Sequence, residues 1–212
     1  MSIHVCAPNL YLQHLLTLIR DVSTERSDFR RSAELLGDYL LQQCVEFGLV
    51  AHSACSVHTP TGAELEGVRL TQVIAVPILR AGNAWANSVF RIFGNQVPLG
   101  QLVIQRDEKS ATPCVLLAKL PTALCSVAPV LLLDPMLATG GSAIAAIRLL
   151  VSRGVDVARI VLVHAVASPE GLAAVQAAFP TIRGLVGVVD DHLNERKFIV
   201  PGLGDFGDRF YA

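Results

Sequence analysis

Hydrophobic positions change period along the chain, and each change marks an element. Leu12, Leu15, Leu16 and Ile19 recur at helical spacing behind Asn9, which predicts a helix capped by that asparagine. Phe29, Ala33, Leu36 and Leu40 repeat the pattern after Ser27-Asp28, so a second helix is expected to run to near Gly48. The period then drops toward two. Residues 50–57 and 64–70 flank a turn-forming Thr59-Pro60-Thr61-Gly62 and read as a β-hairpin.

Beyond residue 72, near-continuous apolar runs alternate with helical stretches. Strands are expected at 73–79, 102–105, 115–118, 130–133, 160–166 and 184–189, and helices at 83–93, 142–152 and 169–179. Strands apolar on both faces belong in a sheet covered on both sides. The expected fold is therefore α/β, a mostly parallel sheet flanked by helices, with N-terminal helices and a hairpin arm added. No Ser/Gly linker, charge block or internal repeat interrupts the 212 residues, so one domain over 1–212 is expected.

Composition narrows the function classes. The chain is 52% hydrophobic and 17% charged, below the roughly 25% charged of globular proteins, and its net charge is −1. That balance offers no field to attract nucleic acid or an anionic membrane surface. No apolar run approaches the ~18 residues of a membrane helix, and the N-terminus lacks the basic and apolar regions of a signal peptide. Cys6, Cys44, Cys55, Cys114 and Cys125 are scattered without a C-x-x-C pair, which suits reduced thiols and a cytoplasmic location.

The chemistry concentrates after the run at 130–133. There Asp134-Pro135-Met136-Leu137-Ala138-Thr139-Gly140-Gly141-Ser142 places a carboxylate at a strand end, then a short loop, then Thr-Gly-Gly-Ser opening a helix. Glycines admit an anion close to the backbone, and the first-turn N–H groups with the helix dipole supply a phosphate site. Thr139 and Ser142 add hydroxyl donors. A carboxylate repels phosphate but accepts from sugar hydroxyls, so the combination suggests a ribose phosphate. The bland alternative is a glycine turn with Ser142 as an ordinary helix cap. No lysine follows the glycines, which excludes a nucleotide-kinase P-loop.

Other segments agree. Arg80 follows an apolar strand in Val76-Pro77-Ile78-Leu79-Arg80-Ala81-Gly82, where its fork suits phosphate oxygens. Arg106-Asp107-Glu108 and Lys109-Ser110-Ala111-Thr112-Pro113 form a polar, breaker-containing stretch between apolar runs, as a lid requires. The chain closes with Ile199-Val200-Pro201-Gly202-Leu203-Gly204-Asp205-Phe206-Gly207. Gly202, Gly204 and Gly207 also spell the dinucleotide fingerprint. Only five residues follow Gly207, too few for the helix and later acid that fingerprint needs.

Taken together, these segments resemble the type I phosphoribosyltransferases, and the uracil phosphoribosyltransferases in particular. The resemblance implies transfer of the phosphoribosyl group from 5-phosphoribosyl 1-pyrophosphate (PRPP) to uracil, giving UMP and pyrophosphate in pyrimidine salvage, with Mg²⁺. It implies PRPP contacts from Arg80, Arg106, Asp134, Pro135, Met136, Leu137, Ala138, Thr139, Gly140, Gly141, Ser142 and Asp205. Uracil falls to Ile199, Gly204, Asp205 and Phe206, with Asp205 also facing the water shell of the metal. Arg80, Asp134 and Asp205 are the implied catalytic set. The family also implies a C-terminal base-binding segment, a homodimer or homotetramer, and GTP as a candidate allosteric activator. The sequence departs from the family at Lys109-Ser110, Leu116-Leu117 and Asn83-Ala84. Two alternatives remain: a non-catalytic PRPP-binding regulator, and a phosphoribosyltransferase for another base.

Three smaller features read as structural. His52, Cys55 and His58 are spaced to scatter over both faces of a strand, so a metal site is not expected there. Trp85, Phe90 and Phe93 read as core or subunit interface, and His164 as a satisfied core histidine.

Overall fold

The structure is a computed structural model that describes residues 2–106 and 113–212; the side chains of Ser2 and Arg106 fall outside that description. A strand the periodicity did not reveal comes first, β1 (Ser2–Val5), followed by α1 (Leu10–Arg20). Asn9 caps α1 as predicted, its side chain accepting from the Leu12 N–H at 2.9 Å. Helix α2 (Arg26–Glu46) starts slightly before the expected Ser27-Asp28, behind Glu25, which makes no side-chain cap. Gly37 within α2 receives the Trp85 ring, which a Cβ there would overlap, and the indole N–H donates to the Ala33 carbonyl at 2.9 Å.

The hairpin follows as β2 (His52–His58) and β3 (Glu64–Leu70), an antiparallel pair that joins no other strand among the described residues and is mostly exposed. Then come β4 (Ile74–Leu79), a 3₁₀ turn over Ala81–Trp85 and α3 (Ala86–Phe93), so the helix expected from Asn83 begins as a tighter turn. Strands β5 (Gln101–Arg106) and β6 (Pro113–Lys119) lead through β7 (Val130–Leu133) and the two-residue β8 (Met136–Leu137) to α4 (Gly141–Ser152). The chain ends with β9 (Ile160–Ala167), α5 (Pro169–Ala178), β10 (Arg183–Val189), β11 (His192–Leu193), β12 (Ile199–Val200) and α6 (Phe206–Tyr211).

The central sheet has the order β1-β10-β9-β7-β4-β5-β6, with β8 added along β9, and every pair is parallel except β5–β6. All four residues of β7 and all eight of β9 are buried, as strands covered on both faces must be. Side chains alternate between two cores. Leu131, Leu133, Val161 and Val163 meet α1, α2 and Trp85 on one face; Val130, Leu132 and Leu162 meet α4 and Val175 of α5 on the other. The carboxyl ends of β4 and β7 are therefore adjacent, where open sheets of this class place ligands.

Candidate active site

The loop after β7 is laid along β9 by main-chain bonds. The Asp134 N–H donates to the Val163 carbonyl at 3.2 Å, and the Pro135 carbonyl accepts from Ala165 and Val166 at 2.9 and 3.1 Å. Met136 and Leu137 then pair with Val166 and Ala167 as β8. Ser168, which the sequence did not single out, fixes the next residues. Its N–H donates to the Leu137 carbonyl at 2.9 Å and its hydroxyl to the Ala138 carbonyl at 2.6 Å, while the same oxygen accepts from the Gly171 N–H at 2.9 Å to cap α5.

Gly140 precedes α4 in the left-handed region at φ +77°, and a Cβ there would come within 2.9 Å of the Gly171 carbonyl. Glycine is thus required twice over, by backbone conformation and by close approach. Helix α4 begins at Gly141, so Ser142 lies inside its first turn instead of capping it. The first-turn N–H groups have no carbonyl within the helix to meet, and the Gly141 N–H reaches the Thr139 hydroxyl at 3.5 Å. The sequence expects an anion at these groups, and a helix start of this kind has the donors and dipole for one.

Arg80 emerges one residue beyond β4 and is exposed; its Nη2 lies 2.6 Å from Oδ1 of Asp208 in α6. The 3₁₀ turn after Arg80 presses against the end of β7, since a Cβ at Gly82 would overlap the Leu133 carbonyl. Arg80 and Asp134 therefore share one end of the sheet.

The C-terminal segment closes the site. Residues 190–203 run out through the β11–β12 ribbon and return over Gly202 and Gly204, both left-handed at φ +59° and +80°. Asp205 caps α6, its Oδ1 accepting from the Asp208 N–H at 2.9 Å. That six-residue helix forms although only five residues follow Gly207, because it starts at Phe206, ahead of the last glycine. The dinucleotide reading still fails, because the preceding strand is β12 of the ribbon and no βαβ unit surrounds the glycines. The Phe206 ring is buried against Phe29 and Phe210, with centroids 5.4 and 5.9 Å away. A cavity of about 340 Å³ lies between Ala81, Met136 and Ala138 on one side and Ile199 and Gly204–Gly207 on the other. Arg196, Lys197 and Phe198, for which the sequence suggests no ligand role, also border it.

His164 departs from expectation. Its Nδ1 lies 2.6 Å from the Asp134 carbonyl, which can only accept, so Nδ1 carries the proton; Nε2 is buried without a partner among the described residues. The histidine is half satisfied. Burial pushes its pKa down to about 4, opposed in part by the Asp134 hydrogen bond, and the ring is neutral at ordinary pH.

The structure thus brings together Arg80, the whole of Asp134–Ser142, Ile199 and Gly204–Phe206. The side chain of Arg106 and residues 107–112 of the expected lid lie outside the described residues. Among the described residues no three His, Cys, Asp or Glu side chains gather as metal ligands, and His52, Cys55 and His58 lie along β2. Trp85 is fully buried, which makes it core.

Comparison with known proteins decides the family. A family model described as uracil phosphoribosyltransferase matches residues 6–212. The chain belongs to the uracil phosphoribosyltransferase family. The uracil phosphoribosyltransferase of Dictyostelium discoideum is 38% identical over 214 residues, covering 100% of this chain and 96% of that one. Among solved structures, the AQ2163 protein of Aquifex aeolicus superposes with a TM-score of 0.86 at 31% identity, over 99% of this chain and 98% of its own. The adenine phosphoribosyltransferase of Leishmania donovani shares the fold, with a TM-score of 0.58 at 13% identity over 92% and 87% of the two chains. The chain carries the mostly parallel, helix-flanked sheet expected from the strand pattern.

Proposed function

We propose that the chain, working as one phosphoribosyltransferase domain, transfers the phosphoribosyl group of PRPP to uracil, forming UMP and pyrophosphate in pyrimidine salvage. The observation that carries this reading is the cavity between Met136 and Ala138, which lead into the loop at 139–142, and the C-terminal segment, in a chain matched over residues 6–212 by the family. The C1′–O bond to pyrophosphate breaks, the uracil N1–C1′ bond forms, and the N1 proton leaves. Charge develops on the leaving pyrophosphate and on the sugar ring, so the protein's task is to hold anions and a base in register.

In this reading the 5′-phosphate rests on Ala138–Ser142, where α4 presents its first turn. Asp134 accepts from the ribose hydroxyls, with Pro135, Met136 and Leu137 shaping the loop. Arg80 meets the pyrophosphate with its fork, and Arg106 is assigned the same partner by resemblance. Ile199 and Gly204–Phe206 present main chain to uracil.

The carboxylates of Asp134 and Asp205 are hard oxygen donors, and the absence of a three-ligand cluster among the described residues suits Mg²⁺ held mainly by substrate phosphates and water. Asp205 would touch its water shell, and the bound metal would offset negative charge on the departing pyrophosphate. A cytoplasmic location is supported by five free cysteines. Among the described residues no helix is long and apolar enough to cross a membrane. Self-association as a homodimer or homotetramer is supported by Leu65, Val68 and Leu70 exposed on the hairpin; GTP activation rests on the family resemblance.

The test is conversion of radiolabelled uracil with PRPP and Mg²⁺. UMP should accumulate with one pyrophosphate released per uracil consumed. PRPP binding without UMP formation would favour a regulator, and turnover of another base in place of uracil would overturn the base assignment.

A further inference from the structure

The turn that leads into the base-binding segment is held by two charged residues far away in sequence. Arg20, the last residue of α1, and Asp190, just beyond β10, form a two-pronged pair: Nη2 meets Oδ1 at 2.6 Å and Nη1 meets Oδ2 at 2.9 Å. The Asp190 side chain is 4% exposed and that of Arg20 23%. Both also bind the main chain of one residue. Asp190 Oδ2 accepts from the Gly202 N–H at 2.8 Å, and Arg20 Nη1 donates to the Gly202 carbonyl at 2.7 Å. Gly202 is left-handed, and a Cβ there would overlap the Ile199 carbonyl.

A second arginine fastens the same two elements. Arg209 donates from Nη1 to the carbonyls of Ile19 and, at 3.0 Å, Leu203, and from Nη2 to the carbonyl of Asp21 at 2.6 Å. Its guanidinium stacks 4.4 Å above the Phe29 ring. The end of α1 is therefore a fixed wall against which residues 202–203 are registered.

We infer that Arg20 and Asp190 are positioning residues for base recognition: by gripping both main-chain groups of Gly202, they set where Gly204–Phe206 present their backbone to the base. A backbone reader has no side-chain rotamer to adjust, so its accuracy depends on how firmly the peptide planes are anchored. A buried charge pair with bidentate geometry is suited to that role, because each partner is directional and its desolvated polar atoms leave few alternative arrangements. This inference rests on the placement of uracil against residues 199–206 proposed above.

The experiment compares wild type with Arg20→Lys, Asp190→Asn and, as a check on the placement itself, Gly204→Ala. Arg20→Lys keeps the charge but loses the fork; Asp190→Asn keeps the shape but loses the charge. Each should raise KM for uracil by about tenfold or more, the equivalent of one lost charge-assisted hydrogen bond. PRPP affinity measured by calorimetry should stay unchanged, and cytosine should be rejected less sharply than by wild type. Unchanged uracil KM in both pair variants, or KM values for uracil and PRPP rising in parallel, would overturn the positioning role. If Gly204→Ala also leaves uracil KM unchanged, the placement of the base falls with it; if Gly204→Ala alone raises KM, only the role of the pair falls. A measurement needing no variant guards against misfolding: the Gly202 amide of wild type should be protected from hydrogen exchange before uracil is added, and rapid exchange there would refute the inference.

Discussion

Asp134 serves the loop with its backbone and, through Oδ1, accepts from the Met136 N–H at 3.4 Å, while its carboxylate is the proposed acceptor for the ribose hydroxyls. Its N–H and carbonyl are engaged by Val163 and His164 whatever side chain follows. Asp134→Asn should therefore fold with an unchanged melting temperature while losing a charged acceptor worth about 1.5–3 kcal/mol, or roughly 10- to 150-fold in kcat/KM for PRPP. Wild-type kinetics in this variant would remove Asp134 from the site. Behind it, His164 makes a separate prediction. The folded state refuses a proton that the unfolded chain accepts below its ordinary 6.5, so stability is fully present above that pH and is lost as pH falls toward about 4. The loss between pH 7 and pH 5 should be about 2 kcal/mol. Urea unfolding at the two pH values should show that slope in wild type and a shallower one in His164→Gln; identical slopes would contradict it.

At the scale of elements, the loop from β7 to α4 shows how tertiary packing decides what a glycine is for. The sequence makes Gly140 a point of phosphate approach; the structure adds that the space where its Cβ would point is taken by the Gly171 carbonyl of α5. Gly140→Val must therefore displace the loop, whereas Thr139→Ala removes one hydroxyl. Calorimetry should find no measurable PRPP binding in Gly140→Val and a loss in Thr139→Ala of about 1 kcal/mol, roughly fivefold. Comparable affinities would count against the cradle. Local signals told of this loop because its carboxylate, glycines and hydroxyls are contiguous. Ser168 carried a legible signal too, as a serine before Pro169-Glu170 at a helix start. What could not be read was its second bond, to Ala138 thirty residues earlier. Strands β1 and β8 were missed because four and two residues are too few to show a period, and β6 runs antiparallel at the sheet edge, a choice that strand composition does not encode.

Across the whole molecule, the order of strand-like and helix-like runs was enough to give the α/β class, since strands buried on both faces must be apolar throughout. Contacts between distant segments were not legible: Arg20 and Asp190 look like ordinary surface charges until α1 and the end of β10 are brought together. The Arg80–Asp208 contact is of the same kind and has its own consequence. The guanidinium assigned to the leaving group is already engaged by the C-terminal helix, so a pyrophosphate group arriving there must compete with a carboxylate of the chain itself. Under the proposed roles, one cation would be shared between the pyrophosphate and α6, whose first turn Asp205 caps at the edge of the base cavity, and the two substrates would then be thermodynamically linked. Both partners are well exposed, so the competition is shallow, about 0.2–1 kcal/mol. Asp208→Asn should lower KM for PRPP by no more than about fivefold, should lose that advantage in high salt, and should reduce the effect of PRPP on uracil affinity. A KM for PRPP that rises in this variant would mean that Asp208 assists the substrate instead of contending with it.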